Sequence, residues 1–194
     1  MPERYWLETL GCPKNQVDSD KLAGRLVADG FEVAERPEDA DLVVVNTCAF
    51  IEAAREESID TILALSGARR PGARLVVTGC LAERAGDELA AALPEVDAVA
   101  GFGVPVTVGR VAVSLGSKPG PPLPSFDLLN LPRPKSSSPW AYVKVAEGCD
   151  RTCGFCAIPS FRGPQRSRAE ESILAEVEAL DVAEIVLVAQ DLAS

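Results

Sequence analysis

Three times in the first eighty residues a strand-like apolar run ends, a cysteine follows at once, and a helix-like segment comes next. Tyr5 to Leu10 reads as a strand and leads into Gly11-Cys12-Pro13-Lys14-Asn15 as a turn. Asp41 to Asn46 contains Leu42-Val43-Val44-Val45, a continuous apolar run of the kind buried on both faces, and Thr47-Cys48 follows. Arg74 to Thr78 is a third strand, ended by Gly79-Cys80. The helices read as Val17 to Asp29, with Leu22, Ala23, Leu26 and Val27 on one face and Gly30 as its stop; Ile51 to Leu65, with Ile51, Ala54, Ile62 and Leu65 in phase; and Leu81 to Leu93, stopped by Pro94. Phe31 to Ala34 and Asp97 to Ala100 are short strands, while Val106 to Leu115 stays between strand and helix. This alternation predicts an α/β fold with a doubly wound parallel sheet.

In such a sheet every strand-to-helix loop emerges on one edge, where ligands bind. Neighbouring strands lie about 4.8 Å apart. Cys12, Cys48 and Cys80 therefore stand where three thiolates can converge on one metal centre, with helix N-termini beyond them to favour its negative charge. The alternative is three separate buried thiols, since free cysteine is among the most buried residue types.

From Gly116 to Pro139 the chain becomes rich in Pro, Gly and Ser, a partly extended linker that Phe126-Asp127-Leu128-Leu129 pins to a surface. The expected division is residues 1–115, a linker over 116–139, and a second part over 140–194. That part begins with a strand from Trp140 to Ala146. Ser167-Arg168-Ala169-Glu170 reads as a capping box opening a helix with Ile173, Leu174, Val177 and Leu180 on one stripe. Glu184 to Ala189 is the next strand. One βαβ unit does not cover both faces of a sheet, so this part reads as the start of a truncated (β/α) barrel.

Between that first strand and helix lies Glu147-Gly148-Cys149-Asp150-Arg151-Thr152-Cys153-Gly154-Phe155-Cys156, a C-x3-C-x2-C run. A [4Fe–4S] cluster takes four cysteines, so three suggest an iron left open to an outside ligand. A structural zinc site is the competing reading, but zinc prefers a closed tetrahedral set, and the chain has no His to complete one. The same absence excludes imidazole catalysis within these residues. The sequence shows no bilayer-spanning apolar run and no secretory leader, which predicts a cytoplasmic location and cysteines used as metal ligands rather than disulfides. A net charge of −10 argues against a broad nucleic-acid footprint and suits a basic partner better.

The C-x3-C-x2-C run with an aromatic before its last cysteine resembles the radical S-adenosylmethionine enzymes. With Leu10-Gly11-Cys12-Pro13-Lys14-Asn15, Asn46-Thr47-Cys48-Ala49-Phe50-Ile51, Glu57-Ser58-Ile59-Asp60, Gly79-Cys80-Leu81, Pro94-Glu95-Val96-Asp97, Ala141-Tyr142-Val143-Lys144-Val145 and Ile158-Pro159-Ser160-Phe161-Arg162-Gly163, the resemblance narrows to the methylthiotransferases and covers essentially the whole chain. The residues around Cys12 and Cys48 are similar to the RimO-like branch, which modifies an aspartate β-carbon on a small-subunit ribosomal protein; a tRNA-adenosine branch shares all six cysteines. The resemblance implies two [4Fe–4S] clusters and S-adenosylmethionine. It assigns Cys149, Cys153 and Cys156 to the cofactor-cleaving cluster, Cys12, Cys48 and Cys80 to an auxiliary cluster that presents sulfur, and Phe155 to the adenine. It also implies a ribosomal protein substrate, a reductant protein for one-electron supply, and a longer chain than this one for full activity. A non-catalytic iron–sulfur or zinc module stays open as the reading from another class.

Arg162, Arg166 and Arg168 read either as a basic patch facing a carboxylate or as a solvated loop. Lys14 reads either as a tuning charge beside Cys12 or as an exposed turn residue. Asn15 and Asn46 are expected to bond loop backbone. Gln190 and Asp191, at the end of the last strand, fall where barrel sites are built and are candidates for cofactor or substrate contact.

Overall fold

The computed structural model describes residues 2–101, 105–108, 111–114 and 128–193. Strands β1 (Arg4–Thr9), β2 (Glu32–Val33), β3 (Leu42–Thr47), β4 (Arg74–Gly79) and β5 (Ala98–Val99) form one parallel sheet in the order β2-β1-β3-β4-β5. The helices between them are α1 (Pro13–Ala28), α2 (Glu52–Ala68) and α3 (Cys80–Ala92). The expected α/β doubly wound sheet is present. Strand order reverses between β1 and β3, which opens a crevice at the carboxyl ends of these two strands.

β3 is buried along its whole length, and its alternating side chains feed two cores. Val43 and Val45 join Leu75 and Val77 of β4 beneath Ile62, Leu65, Leu81 and Leu89 of α2 and α3. Leu42 and Val44 join Val76, Tyr5 and Phe31 beneath Leu22 and Leu26 of α1. The α1 stripe is narrower than expected. Val27 is 53% exposed, because the rest of the buried face is polar: Asn15, Asp18, Ser19 and Lys21 point inward with Val17. Ile51 is likewise exposed and precedes α2 as its N-cap.

The ambiguous Val106–Leu115 stretch contains an antiparallel hairpin, β6 (Pro105–Val108) with β7 (Val111–Ser114); Leu115 lies outside the described residues, as do 116–127 of the expected linker, with Phe126 and Asp127. Among the linker residues described, Leu129 is buried and Arg133 reaches inward to Asp20 and Glu176.

The expected Trp140–Ala146 strand is divided. β8 (Trp140–Lys144) pairs in parallel with β11 (Glu184–Val188), and after Val145 a short β9 (Ala146–Glu147) pairs antiparallel with β10 (Arg166–Ser167). Helices α4 (Ile158–Arg162) and α5 (Glu170–Leu180) complete this part. The capping box does not form: Ala169 is the N-cap of α5, no side chain caps it, and Arg168 turns inward to Glu176. Ile173, Val177 and Leu180 pack on β8, while Leu174 is exposed.

The two parts share a core. Phe161 of α4 is buried within the cluster of Leu81, Leu89 and Val77. Phe161→Ala is expected to cost about 3–5 kcal/mol in urea unfolding monitored on the parallel sheet. Leu187→Ala, at a 53% exposed position, is expected to stay within about 0.5 kcal/mol. Equal small effects would mean that the second part does not support the first.

Candidate metal and cofactor site

All three early cysteines stand at the carboxyl edge of the sheet. Cys12 is the N-cap of α1, with Pro13 in its first turn, where the missing N–H costs nothing. Cys48 follows β3, and Cys80 is the first residue of α3 after the N-cap Gly79. Cys12 and Cys48 therefore flank the crevice where strand order reverses.

Two glycines permit the loops to close on one another. Gly11 has φ +93°, and a Cβ there would come within 2.7 Å of the Cys48 Cβ and 2.8 Å of its sulfur. Gly79, also at φ +93°, has the Thr47 backbone so near that a Cβ would stand 2.6 Å from the Thr47 nitrogen. Any side chain at either position clashes and is strained besides.

Buried polar side chains fix the loops. Asn15 donates through Nδ2 to the Leu10 and Thr47 carbonyls, both at 2.9 Å, and Asn46 donates to the Asn15 carbonyl at 3.0 Å and Ser19 Oγ at 2.9 Å. The expectation that both bond backbone holds. Ser58, buried on α2, accepts from the Cys48 N–H at 3.1 Å, and its hydroxyl lies 2.8 Å from the Ala54 carbonyl. Lys14 is half-buried within the first turn of α1 rather than in a turn before it.

Cys149 follows β9 and Gly148. At φ +80°, Gly148 lies so close to the returning chain that a Cβ would meet the Gly163 oxygen at 2.6 Å. The Cys149 N–H donates to that Gly163 carbonyl at 3.1 Å, and the Arg151 N–H lies 3.4 Å from the Cys149 sulfur. Cys149 is buried, Cys156 half-buried and Cys153 exposed, with Cys156 N–H turned back to the Cys153 carbonyl at 3.1 Å. Phe155 is 92% exposed. Gln190 donates to Glu147 Oε1 at 2.6 Å, and its own Oε1 is buried without a hydrogen-bond partner. Asp191 accepts from Arg151 Nε at 2.7 Å.

All six cysteines are free thiols. Among the described residues, no group of three or more Cys, Asp and Glu side chains closes to metal-binding spacing. The donor set still suits iron and sulfide: two thiol triplets on loops, one at the ligand edge of a parallel sheet, with an N–H near sulfur at Cys149. Final closure of such loops is ordinarily driven by the metal–ligand bonds themselves.

The reading of Arg162, Arg166 and Arg168 as a patch is corrected. Arg162 and Arg168 are buried in ion pairs, and only Arg166, on β10, is exposed. Arg162 donates through Nη1 to Asp18 Oδ2 at 2.8 Å and Glu147 Oε1 at 3.2 Å. Through Nη2 it donates to Asn15 Oδ1 at 2.6 Å and to the Cys80 sulfur at 3.0 Å. Lys144 is fully buried between Asp18 and Glu147, 2.7 Å from Glu147 Oε2. Burial alone would push the Asp18 carboxyl up, but Lys144 and Arg162 more than reverse it, leaving it below the ordinary carboxylate value. Burial pushes the Cys80 thiol up, against the pull of Arg162.

A second buried knot gathers Lys21, Arg133 and Arg168 on Glu176. Sequence reasoning missed both knots. The available signals were Asp18 and Lys21, charged residues one turn apart on the inward stripe of α1, and Lys144 within an otherwise apolar strand.

The family described as "Uncharacterized protein family UPF0004" matches residues 4–101. The chain belongs to that family. It is 46% identical to the ribosomal protein uS12 methylthiotransferase RimO of Anaeromyxobacter sp. (strain Fw109-5), over 97% of this chain and 42% of the relative. It is 46% identical to the protein of the same name from Desulfitobacterium hafniense (strain Y51), over 94% and 43%, and 44% identical to that of Geobacter sulfurreducens, over 98% and 45%. The chain thus spans less than half the length of these relatives. The family match covers the cysteine-bearing sheet, and the relatives extend the similarity across the C-x3-C-x2-C loop. No helix among the described residues is long and apolar enough to cross a membrane.

Lys21 supplies a pH test. Burial, set against the pull of Glu176, lowers its ammonium from 10.5 to about 8. Between about 8 and 10.5 the unfolded chain therefore holds the proton that the folded chain has lost, so this contribution to stability rises with pH across that window and is flat below it. From pH 8 to 9.5 the wild type is expected to gain about 1.5 kcal/mol relative to Lys21→Met in paired urea titrations. Parallel curves would show that Lys21 keeps its ordinary proton affinity. At the Cys48 loop, Ser58→Ala leaves the buried Cys48 N–H unmatched and is expected to cost about 1–3 kcal/mol in the same assay.

Proposed function

We propose that this chain carries the two cluster-binding segments of a radical S-adenosylmethionine methylthiotransferase acting on a small-subunit ribosomal protein; its relatives are named ribosomal protein uS12 methylthiotransferases. The observation that carries the reading is Arg162. A side chain only six residues beyond Cys156 lies 3.0 Å from the sulfur of Cys80, which supports reading the two thiol triplets together.

In this reading residues 1–115 form the auxiliary-cluster domain, 116–139 a linker, and 140–194 the beginning of a radical S-adenosylmethionine barrel. Cys12, Cys48 and Cys80 would hold one [4Fe–4S] cluster, and Cys149, Cys153 and Cys156 the other. When bound, these groups supply one-electron cleavage of S-adenosylmethionine and a sulfur for transfer, chemistry that no side chain here provides. The residues of the chain do the rest. Gly11 and Gly79 let the three sheet-edge loops approach, and Asn15 and Ser58 hold the loop backbone. The Arg151 N–H and the Arg162 guanidinium offer hydrogen bonds to sulfur. Gln190 keeps a buried carboxamide oxygen available for a donor on a bound molecule, and Phe155 presents an open ring face to an adenine. An aliphatic C–H gives acid–base groups nothing to grip, which agrees with a site built from thiols. A one-electron donor protein completes the reaction, and the cytoplasm supplies both it and the ribosomal substrate.

Anaerobic reconstitution tests the reading. About eight irons and matching sulfide are expected per chain, from about four per cluster. Cys80→Ser is expected to lower the auxiliary iron while leaving that of the C-x3-C-x2-C loop. Stoichiometric zinc without sulfide would instead establish a metal-binding module. With the longer protein, methylthio incorporation into tRNA and not into uS12 would reassign the substrate.

A further inference from the structure

Arg162 stands apart from the other buried cations because one of its contacts is sulfur. Lys21, Lys144, Arg133 and Arg168 pair with oxygens: carboxylates, carbonyls and, for Arg168, the Ser172 hydroxyl. Arg162 spreads one planar fork over two parts of the chain. Nη2 faces Asn15 and Cys80 at the sheet edge, and Nη1 faces Asp18 and Glu147. Glu147 is separated from Cys149 by Gly148 alone. The side chain is fixed from behind as well. Phe161, its neighbour in α4, is buried in the core beneath α3, the helix that Cys80 begins. A lysine here would be a point charge without the two-sided fork.

We propose that Arg162 is a positioning residue that joins the two thiol triplets and tunes the Cys12, Cys48 and Cys80 centre by holding positive charge and an N–H against the Cys80 sulfur. The proposal rests on the cluster reading given above and adds to it which residue sets the properties of that centre. A cation and a hydrogen bond at a cluster sulfur favour the reduced, more negative state, and such contacts are among the terms that set cluster potentials. Removing them makes the centre harder to reduce. The network on the Nη1 side has a different task. Asp18 and Glu147 pull the guanidinium into place, and Lys144 neutralises the remaining carboxylate charge.

The test isolates one centre, in the whole chain with Cys149, Cys153 and Cys156 replaced by alanine and reconstituted with iron and sulfide. Iron and sulfide binding by this form, with Arg162 intact, checks the cluster reading itself; its failure removes both claims. With the cluster bound, redox titration followed by electron paramagnetic resonance compares Arg162→Met, Arg162→Lys and Lys144→Met. Arg162→Met is expected to shift the reduction equilibrium about tenfold toward the oxidised state, about 59 mV for one electron. Arg162→Lys is expected to fall between it and the parent, because charge returns without the fork. Lys144→Met disturbs the same ion pairs without touching sulfur and is expected to shift the equilibrium less. If Arg162→Met proves too unstable to reconstitute, the Arg162→Lys shift decides alone. Bound cluster with an unmoved equilibrium in the Arg162 variants, or an equal shift in Lys144→Met, would reduce Arg162 to a structural ion pair and overturn the proposal.

Discussion

Buried between the two halves of the chain are two carboxylates and two cations, Asp18 and Glu147 with Lys144 and Arg162. Removing four charges from water is expensive, and their mutual attraction offsets the cost only when geometry is good and further hydrogen bonds are made. Both conditions are met. Asp18 uses both carboxylate oxygens, one for each cation, and Glu147 also accepts from Gln190. Deleting one member would strand the others, so the set tolerates little change. An apolar interface of similar size would hold the halves together more cheaply, but it would not bring a guanidinium to a sulfur.

Placement of that set follows from the sheet. Because β1 and β3 are adjacent and their crossovers diverge, the N-terminal turn of α1 faces the crevice, carrying Asn15 and Asp18 with it. The same turn begins at Cys12. One helix start thus supplies a thiol, a carboxamide that ties the Leu10 and Thr47 carbonyls, and a carboxylate that draws in Arg162. The polar inward face of α1 is why its apolar stripe is short. Leu22 and Leu26 pack on the sheet, whereas the Asp18 and Lys21 positions are reserved for the second part of the chain.

What could be read from the sequence were features with a local cause. Leu42-Val43-Val44-Val45 announces a strand covered on both faces, and the structure fills both. The cysteine at each strand end follows from the chain's local pattern, as do Gly11 and Gly79 beside it. The misreadings share one origin, a partner far along the chain. Nothing local in Ala141-Tyr142-Val143-Lys144-Val145 shows that Lys144 is buried; α1 lies against that face of β8 and covers it. Ser167-Arg168-Ala169-Glu170 has the letters of a capping box. It fails because Arg168 is drawn into the Glu176 knot and the helix starts at Ala169 without a side-chain cap. Three arginines close in sequence suggest a basic surface, yet two of them have buried carboxylate partners, one of these 144 residues away.

The charge balance has a similar lesson for recognition. Among the described residues, the interior holds Lys21, Lys144, Arg162 and Arg168 with Asp18 and Glu147, and the side chains of Arg133 and Glu176 are nearly covered beside them. In a chain with a net charge of −10, this described interior holds more cations than carboxylates, which leaves acidic residues in excess on the described surface. Basic residues can serve a polyanion only where they face solvent. Their burial in fixed pairs removes them from that role, because an ion-paired guanidinium in the interior has no fork left for a phosphate. The surface that remains is suited to a cationic partner, and long-range attraction from it would raise the encounter rate with one in a salt-dependent way. The interior cations serve the architecture, and in the case of Arg162 they serve it at the edge of a sulfur site.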